Sequence, residues 1–93
     1  MSKEGLFPLG QIVATPGAVD ALEDAQEEVT AYIQKHVTGD WSEMSEEDQQ
    51  ENAFSVDKIL RVFSSYTLLS GAVLWVITEA DRSSTTVLLP EEY

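Results

Sequence analysis

The 93-residue chain contains no cysteine. That excludes a disulfide framework and any thiolate-held zinc or iron–sulfur centre, and leaves packing as the source of stability; a reducing compartment fits. Histidine is nearly as scarce, because His36 is the only one. Any catalytic triad or transition-metal set would have to be built on that single imidazole. The five glycines, Gly5, Gly10, Gly17, Gly39 and Gly71, are scattered, so no glycine-rich loop is available to cradle a phosphate. No nucleophile-elbow Gly-x-Ser-x-Gly occurs either. The longest clean apolar run, Ala72 to Ile77, falls far short of the roughly 18–20 residues of a membrane span. Met1-Ser2-Lys3-Glu4-Gly5-Leu6-Phe7-Pro8 has no long apolar stretch and an early proline, which is not the pattern of a secretory signal. A soluble cytoplasmic protein is expected.

Basic residues are also few, 5 against 17 acidic ones, for a net charge of −12. The excess belongs to the middle of the chain: residues 20–57 hold 12 acids and a single base, Lys35. Such a field repels nucleic acid and anionic lipid and favours a basic partner. What is present in ordinary amount is apolar side chain, 43% of the residues, enough for one folded domain covering residues 1–93.

The organising stretch is Val73–Pro90, an apolar run, a polar break at Asp81-Arg82-Ser83-Ser84 and a second apolar run, which reads as a β-hairpin. Arg61–Leu69, rich in β-branched and aromatic residues and followed by the turn signal Ser70-Gly71, adds a strand before it, giving an antiparallel meander. In the middle strand Val73, Trp75 and Ile77 alternate with Leu74, Val76 and Thr78, apolar on both sides as in a covered sheet. Leu9–Thr15, bounded by Pro8 and Pro16, reads as an edge strand. Thr15-Pro16 then opens a short helix through about Leu22. Ala25, Val29, Tyr32, Ile33, His36 and Val37 recur at helical spacing, which predicts one amphipathic helix over Glu23–Val37 stopped by Gly39. Asp40–Met44 is a linker pinned by Trp41. Ser45 with Asp48 starts a further helix to about Asp57, with Ala53, Phe54 and Val56 as its apolar positions. The expected fold is α+β, an antiparallel meander of about three strands plus an N-terminal strand, packed against two or three helices.

Few residues suggest chemistry, and no catalytic residue, cofactor or metal is assigned. His36 lies in an apolar helical stripe near the helix end, where a packed or capping imidazole is the ordinary outcome. The carboxylates from Glu43 to Asp48 do not have the spacing of an EF-hand loop. Glu79, Asp81 and Arg82 form a polar cluster at the end of apolar strands, a place where functional groups sit, and with His36, Asp40 and Trp41 they could surround a small ligand or an acid–base site. A structural account of the same residues has Asp81 and the serines shaping the turn while Arg82 pairs with Glu79 or Asp81. Separately, Glu23, Asp24, Glu27 and Glu28, and then Glu43, Glu46, Glu47, Asp48 and Glu51, can present helical rows of negative charge to a basic groove on another protein.

Leu9–Ala18, His36-Val37 with Gly39-Asp40-Trp41, Glu46-Glu47-Asp48 with Asn52, and Ile77–Tyr93 together resemble a family of small uncharacterised bacterial proteins of plasmids, prophages and other mobile elements. The resemblance covers nearly the whole chain and implies context rather than an activity: small acidic mobile-element proteins include inhibitors of host defence. Three functional expectations follow. The first is a non-enzymatic interaction protein whose acidic helical face, Glu43, Glu46, Glu47, Asp48 and Glu51, binds a basic protein surface, in the extended form an inhibitor of a nucleic-acid-binding defence protein of the host. The second is a small-ligand-binding or hydrolytic protein using the Thr78–Thr86 turn. The third is a homodimeric module pairing through a sheet edge or face.

Overall fold

The computed structural model describes residues 5–93. Met1–Glu4, part of the stretch weighed above as a signal sequence, lie outside the described residues. In chain order the elements are β1 (Gln11–Ala14), α1 (Pro16–Ala25), α2 (Val29–Thr38), α3 (Glu46–Lys58), β2 (Val62–Thr67), β3 (Val73–Thr78), β4 (Ser84–Leu88) and a final 3-10 turn over Pro90–Glu92. The fold is α+β. The four strands form one mixed sheet in the order β1-β4-β3-β2. The meander β2-β3-β4 is antiparallel throughout, whereas β1 runs parallel to β4, with Ile12 opposite Thr85 and Ala14 opposite Val87. Among the described residues no helix is long and apolar enough to cross a membrane.

Strand alternation decides the layers. Val62, Ser64 and Tyr66 of β2, Leu74, Val76 and Thr78 of β3, and Thr85 and Val87 of β4 are all buried on one face. Against them pack Ala18 and Leu22 of α1 and Tyr32 and Ile33 of α2. A smaller group, Phe7, Val37, Trp41 and Val62, closes one end, so Trp41 does fasten the linker to the core. The opposite face of the sheet carries Trp75, with its ring 4.9 Å from Phe63 and 5.8 Å from Tyr93. The last residues of the chain therefore cover the back of β3, which explains why Ile77 and Leu88 are buried there as well.

The helix starts follow the capping rules. The Thr15 side chain accepts from the Ala18 amide with Pro16 at the first helical position, and Ser45 accepts from the Asp48 amide. Each satisfies a donor that the helix itself cannot. Gly39 ends α2 at φ 84°, as a glycine stop does. Two helical expectations need correction. The single helix expected over Glu23–Val37 is two: α1 continues past Leu22 to Ala25 and ends on Gln26, which takes the left-handed conformation at φ 57°. The apolar spacing continues across the break because both helices face the same core. The break itself is decided by tertiary contacts, since the Glu27 carboxylate accepts from the Tyr32 hydroxyl and from the Leu69 amide. In α3, Ala53 and Phe54 are exposed and Val56 only half-buried, and the residue that α3 buries is Asn52. Its amide group binds both backbone groups of Phe63, donating to the carbonyl at 2.6 Å and accepting from the N–H at 3.1 Å. The helix is thus held to the edge of β2 by a polar clasp instead of an apolar stripe.

Candidate functional site

Four polar side chains meet inside the core. His36, Ser64, Thr78 and Thr85 are each 0% exposed. His36 reaches them from the inner face of α2, and the others occupy inward positions on β2, β3 and β4. The His36 Nδ1 is 2.5 Å from Ser64 Oγ and its Nε2 is 2.8 Å from Thr78 Oγ1. Thr78 Oγ1 in turn lies 2.7 Å from Thr85 Oγ1, which donates to the Leu9 carbonyl at 2.7 Å.

The direction of every bond in this row follows from its last member. A carbonyl only accepts, so Thr85 spends its one proton on Leu9 and must accept from Thr78. Thr78 has then spent its own proton and must accept from His36, which places the imidazole proton on Nε2. Nδ1 is left as an acceptor, and Ser64 donates to it. Burial holds the imidazole neutral, lowering its pKa from 6.5 to about 4, with the nearby Arg82 charge acting in the same sense.

A serine hydroxyl on an imidazole nitrogen is the contact of an activated nucleophile. Here both partners are sealed, and neither of two surface grooves, of about 190 and 170 Å³, is lined by any member of the row. What the arrangement does chemically is join α2 to three strands with every hydrogen-bonding group satisfied, which fixes their register.

The polar cluster of the Thr78–Thr86 turn is placed around Phe7. The Phe7 ring meets His36 edge-on at 5.2 Å, and the Arg82 guanidinium lies 5.4 Å from the Phe7 centroid. The structure therefore brings Arg82 and His36 to one aromatic ring. Arg82 pairs with neither Glu79 nor Asp81 through their carboxylates, contrary to expectation. It donates to three main-chain carbonyls, those of Leu60 at 2.6 Å, Glu79 at 3.1 Å and Ser55 at 3.2 Å. The Ser55 and Glu79 carbonyls already accept from the Leu60 and Arg82 amides, so the guanidinium adds a further donor at the end of α3 and at the hairpin turn. Glu79 instead pairs with Arg61 at 3.3 Å, and Asp81 accepts from the Ser83 amide at 2.9 Å; the Ser83 hydroxyl first, and this amide second, hold its carboxyl below the usual range. Asp40 stands apart: its carbonyl accepts from the Tyr66 hydroxyl and its carboxylate from Ser42. Trp41 is buried beside Phe7 and Val62, and its indole N–H has no partner among the described residues.

The acidic residues are spread along the outside. Glu43 is engaged by the Thr67 amide at 2.8 Å, while Glu46, Glu47, Asp48 and Glu51 are exposed on α3. Among the described residues the ion pairs are Lys58 with Asp57 and Arg61 with Glu79, so Glu46, Glu47, Asp48 and Glu51 have no ion-pair partner among them. No group of three or more His, Asp and Glu side chains among the described residues is placed to hold a metal ion.

Sequence reasoning did not single out Ser64, Thr78, Asn52 or Glu92 as partners. For the first two a signal existed: each is a hydroxyl at an inward strand position, and such a residue needs a buried partner. Comparison of the chain with protein-family models, with curated proteins and with solved structures finds no match.

Proposed function

We propose that the protein is a non-enzymatic interaction module whose acidic surface on the Asp40–Met44 linker and α3 engages a basic surface of another protein. The observation that carries this reading is that α3 buries only Asn52, leaving Glu46, Glu47, Asp48 and Glu51 exposed with no ion-pair partner among the described residues. Glu46, Glu47 and Asp48 also suit the positive end of the helix dipole, but Glu51 lies beyond the first turn and gains little from it. A net charge of −12 steers such a surface toward positive partners and away from nucleic acid. The mobile-element resemblance extends the reading to a basic, nucleic-acid-binding host protein as the target.

The experiment is affinity capture from a bacterial host lysate at low and high salt, with the wild-type chain and with a Glu46→Gln/Glu47→Gln/Asp48→Asn variant whose helicity is checked by circular dichroism. A basic protein retained at low salt, released by salt and lost with the variant is the expected result. Retention that ignores both salt and the substitutions would overturn the reading.

A further inference from the structure

The two edges of the sheet are treated differently. On β2 side chains interrupt the outward edge at both ends: Asn52 covers both groups of Phe63, and Glu43 takes the Thr67 amide, which leaves the Ser65 groups as a short gap between them. Side chains thus block both ends of an edge that could otherwise pair with another chain. On β1 the Gln11 and Thr15 amides bond the Ser83 and Val87 carbonyls of the β4 side. Alternation then turns the N–H and C=O of Ile12 and Ala14 outward, where no described residue meets them. Above and below this free edge, Ile12 and Val13 are 50% and 43% exposed.

Beside the edge lies the larger of the two grooves, about 190 Å³, floored by Ala14, Val19, Leu22 and Val29. Ala14 belongs to both features, its backbone to the edge and its side chain to the groove. Glu23, Glu27 and Glu28 also line this groove. Both Glu27 oxygens are held by Tyr32 and Leu69, which fixes one negative charge at the rim, and Glu23 and Glu28 are exposed without an ion pair among the described residues.

We infer that the free side of β1 receives an extended segment of a partner protein, which pairs with Ile12 and Ala14 as a fifth strand, sets an apolar side chain in the Ala14–Val29 groove and places a Lys or Arg against Glu23 and Glu28. Strand addition supplies main-chain hydrogen bonds, and the groove and rim read alternate side chains. Adjacent strands lie about 4.8 Å apart, so a chain on the edge at Ala14 is within side-chain reach of the groove. A second copy of this chain fits less well as occupant, because it would bring its own carboxylates to an already negative rim. This inference does not rest on the α3 reading, since α3 packs beside β2 at the opposite edge of the sheet.

The test uses the isotope-labelled full chain and a ten-residue peptide with Thr at odd positions and Val and Lys in turn at even positions, so that one strand face carries both an apolar side chain and a cation, with a second peptide of the same sequence N-methylated at alternate residues. Both carry the same charge, but only the first can pair as a strand. The expected result is binding of the first peptide with amide shifts concentrated at Ile12, Ala14, Val19 and Val29. N-methylation, or Ile12→Pro in the protein, weakens it by roughly tenfold or more. Proline at position 12 removes no bond to β4, so the variant keeps the sheet, and the N-methylated peptide poses the same question in the unaltered protein. Glu23→Gln/Glu28→Gln lowers affinity and flattens its salt dependence, whereas the α3 triple variant leaves the groove shifts unchanged. Equal binding of both peptides, shifts confined to α3, or a β1-paired homodimer in sedimentation and cross-strand contacts would overturn the proposal.

Discussion

The Glu92 carboxylate sits on the N-terminus of α1, accepting from the Gly17 amide at 3.2 Å. It also accepts from the Thr15 hydroxyl and from the Leu89 amide, so one side chain ties the last residues of the chain to the first helix. A negative charge belongs at that helix end, and these donors hold the Glu92 carboxyl below its ordinary range. Gly17 leaves room for this approach, since a Cβ there would stand 2.6 Å from Glu92 Oε2 and the carboxylate would have to move. Gly17→Ala is therefore expected to lower the melting temperature in the wild-type chain and to cost much less in a Glu92→Ala background. Thermal unfolding of the two single variants and the double variant checks this; additive losses would show that the contact is not the cause.

The hydroxyl row around His36 predicts a single tautomer. With Thr85 committed to the Leu9 carbonyl, the proton must sit on Nε2, and imidazole nitrogen chemical shifts should show Nδ1 unprotonated at neutral pH. Thr78→Val removes the shared partner of His36 and Thr85 and leaves an imidazole N–H without an acceptor. It is expected to cost about 2–3 kcal/mol by urea unfolding, more than Ser64→Ala, which leaves only the Nδ1 lone pair unmet and should cost about 1 kcal/mol. A protonated Nδ1, or the reverse ranking of the two variants, would refute the assigned direction.

The same burial makes stability depend on pH in a defined window. In the unfolded chain His36 takes its proton near 6.5, but in the folded protein only near 4. Between those values the unfolded state binds more protons, so the contribution is fully present above 6.5 and is lost as pH falls toward 4. Its size is about 3 kcal/mol. Glu27, Asp81 and Glu92 have folded values lowered from those of ordinary carboxylates, so their contributions are lost only below about 4.5. Urea unfolding at pH 7, 6 and 5 should therefore show a decline that a His36→Gln variant, itself less stable at pH 7, does not share.

Much of this architecture was legible because burial writes alternation into the chain. Val73–Thr78 and the capped starts at Thr15 and Ser45 announce their elements without help from the rest of the molecule. The break at Gln26 did not, because nothing local to Gln26 requires it; the reason is Glu27 reaching Leu69, far along the sequence. The parallel pairing of β1 with β4 was equally hidden, since strand periodicity carries no direction. The Glu79-Asp81-Arg82 segment was visible as unusual but not as what it is. Its singularity lies in Arg82 serving the carbonyl ends of α3, a task that depends on where α3 stops and not on the turn itself.

That stop carries a cost which substitution can remove. Ile59 ends α3 in the left-handed conformation at φ 57° and ψ 53°, where a β-branched residue is strained by roughly 1–2 kcal/mol. Its side chain is 64% exposed, so little packing compensates. The geometry persists because Arg82 grips the Ser55 and Leu60 carbonyls on either side of it. Ile59→Gly, which adopts this conformation freely, is expected to stabilise the protein by about 1 kcal/mol, after part of the relief is offset by the greater freedom of the unfolded chain. Arg82→Ala should do the opposite, costing about 2 kcal/mol through three lost charge-assisted bonds. Denaturant midpoints for the two variants and their combination decide the matter. If Arg82 is what sustains the strained cap, its removal lets Ile59 relax, so the gain from Ile59→Gly will be smaller in the Arg82→Ala background than in the wild type, and equal gains would separate the two residues.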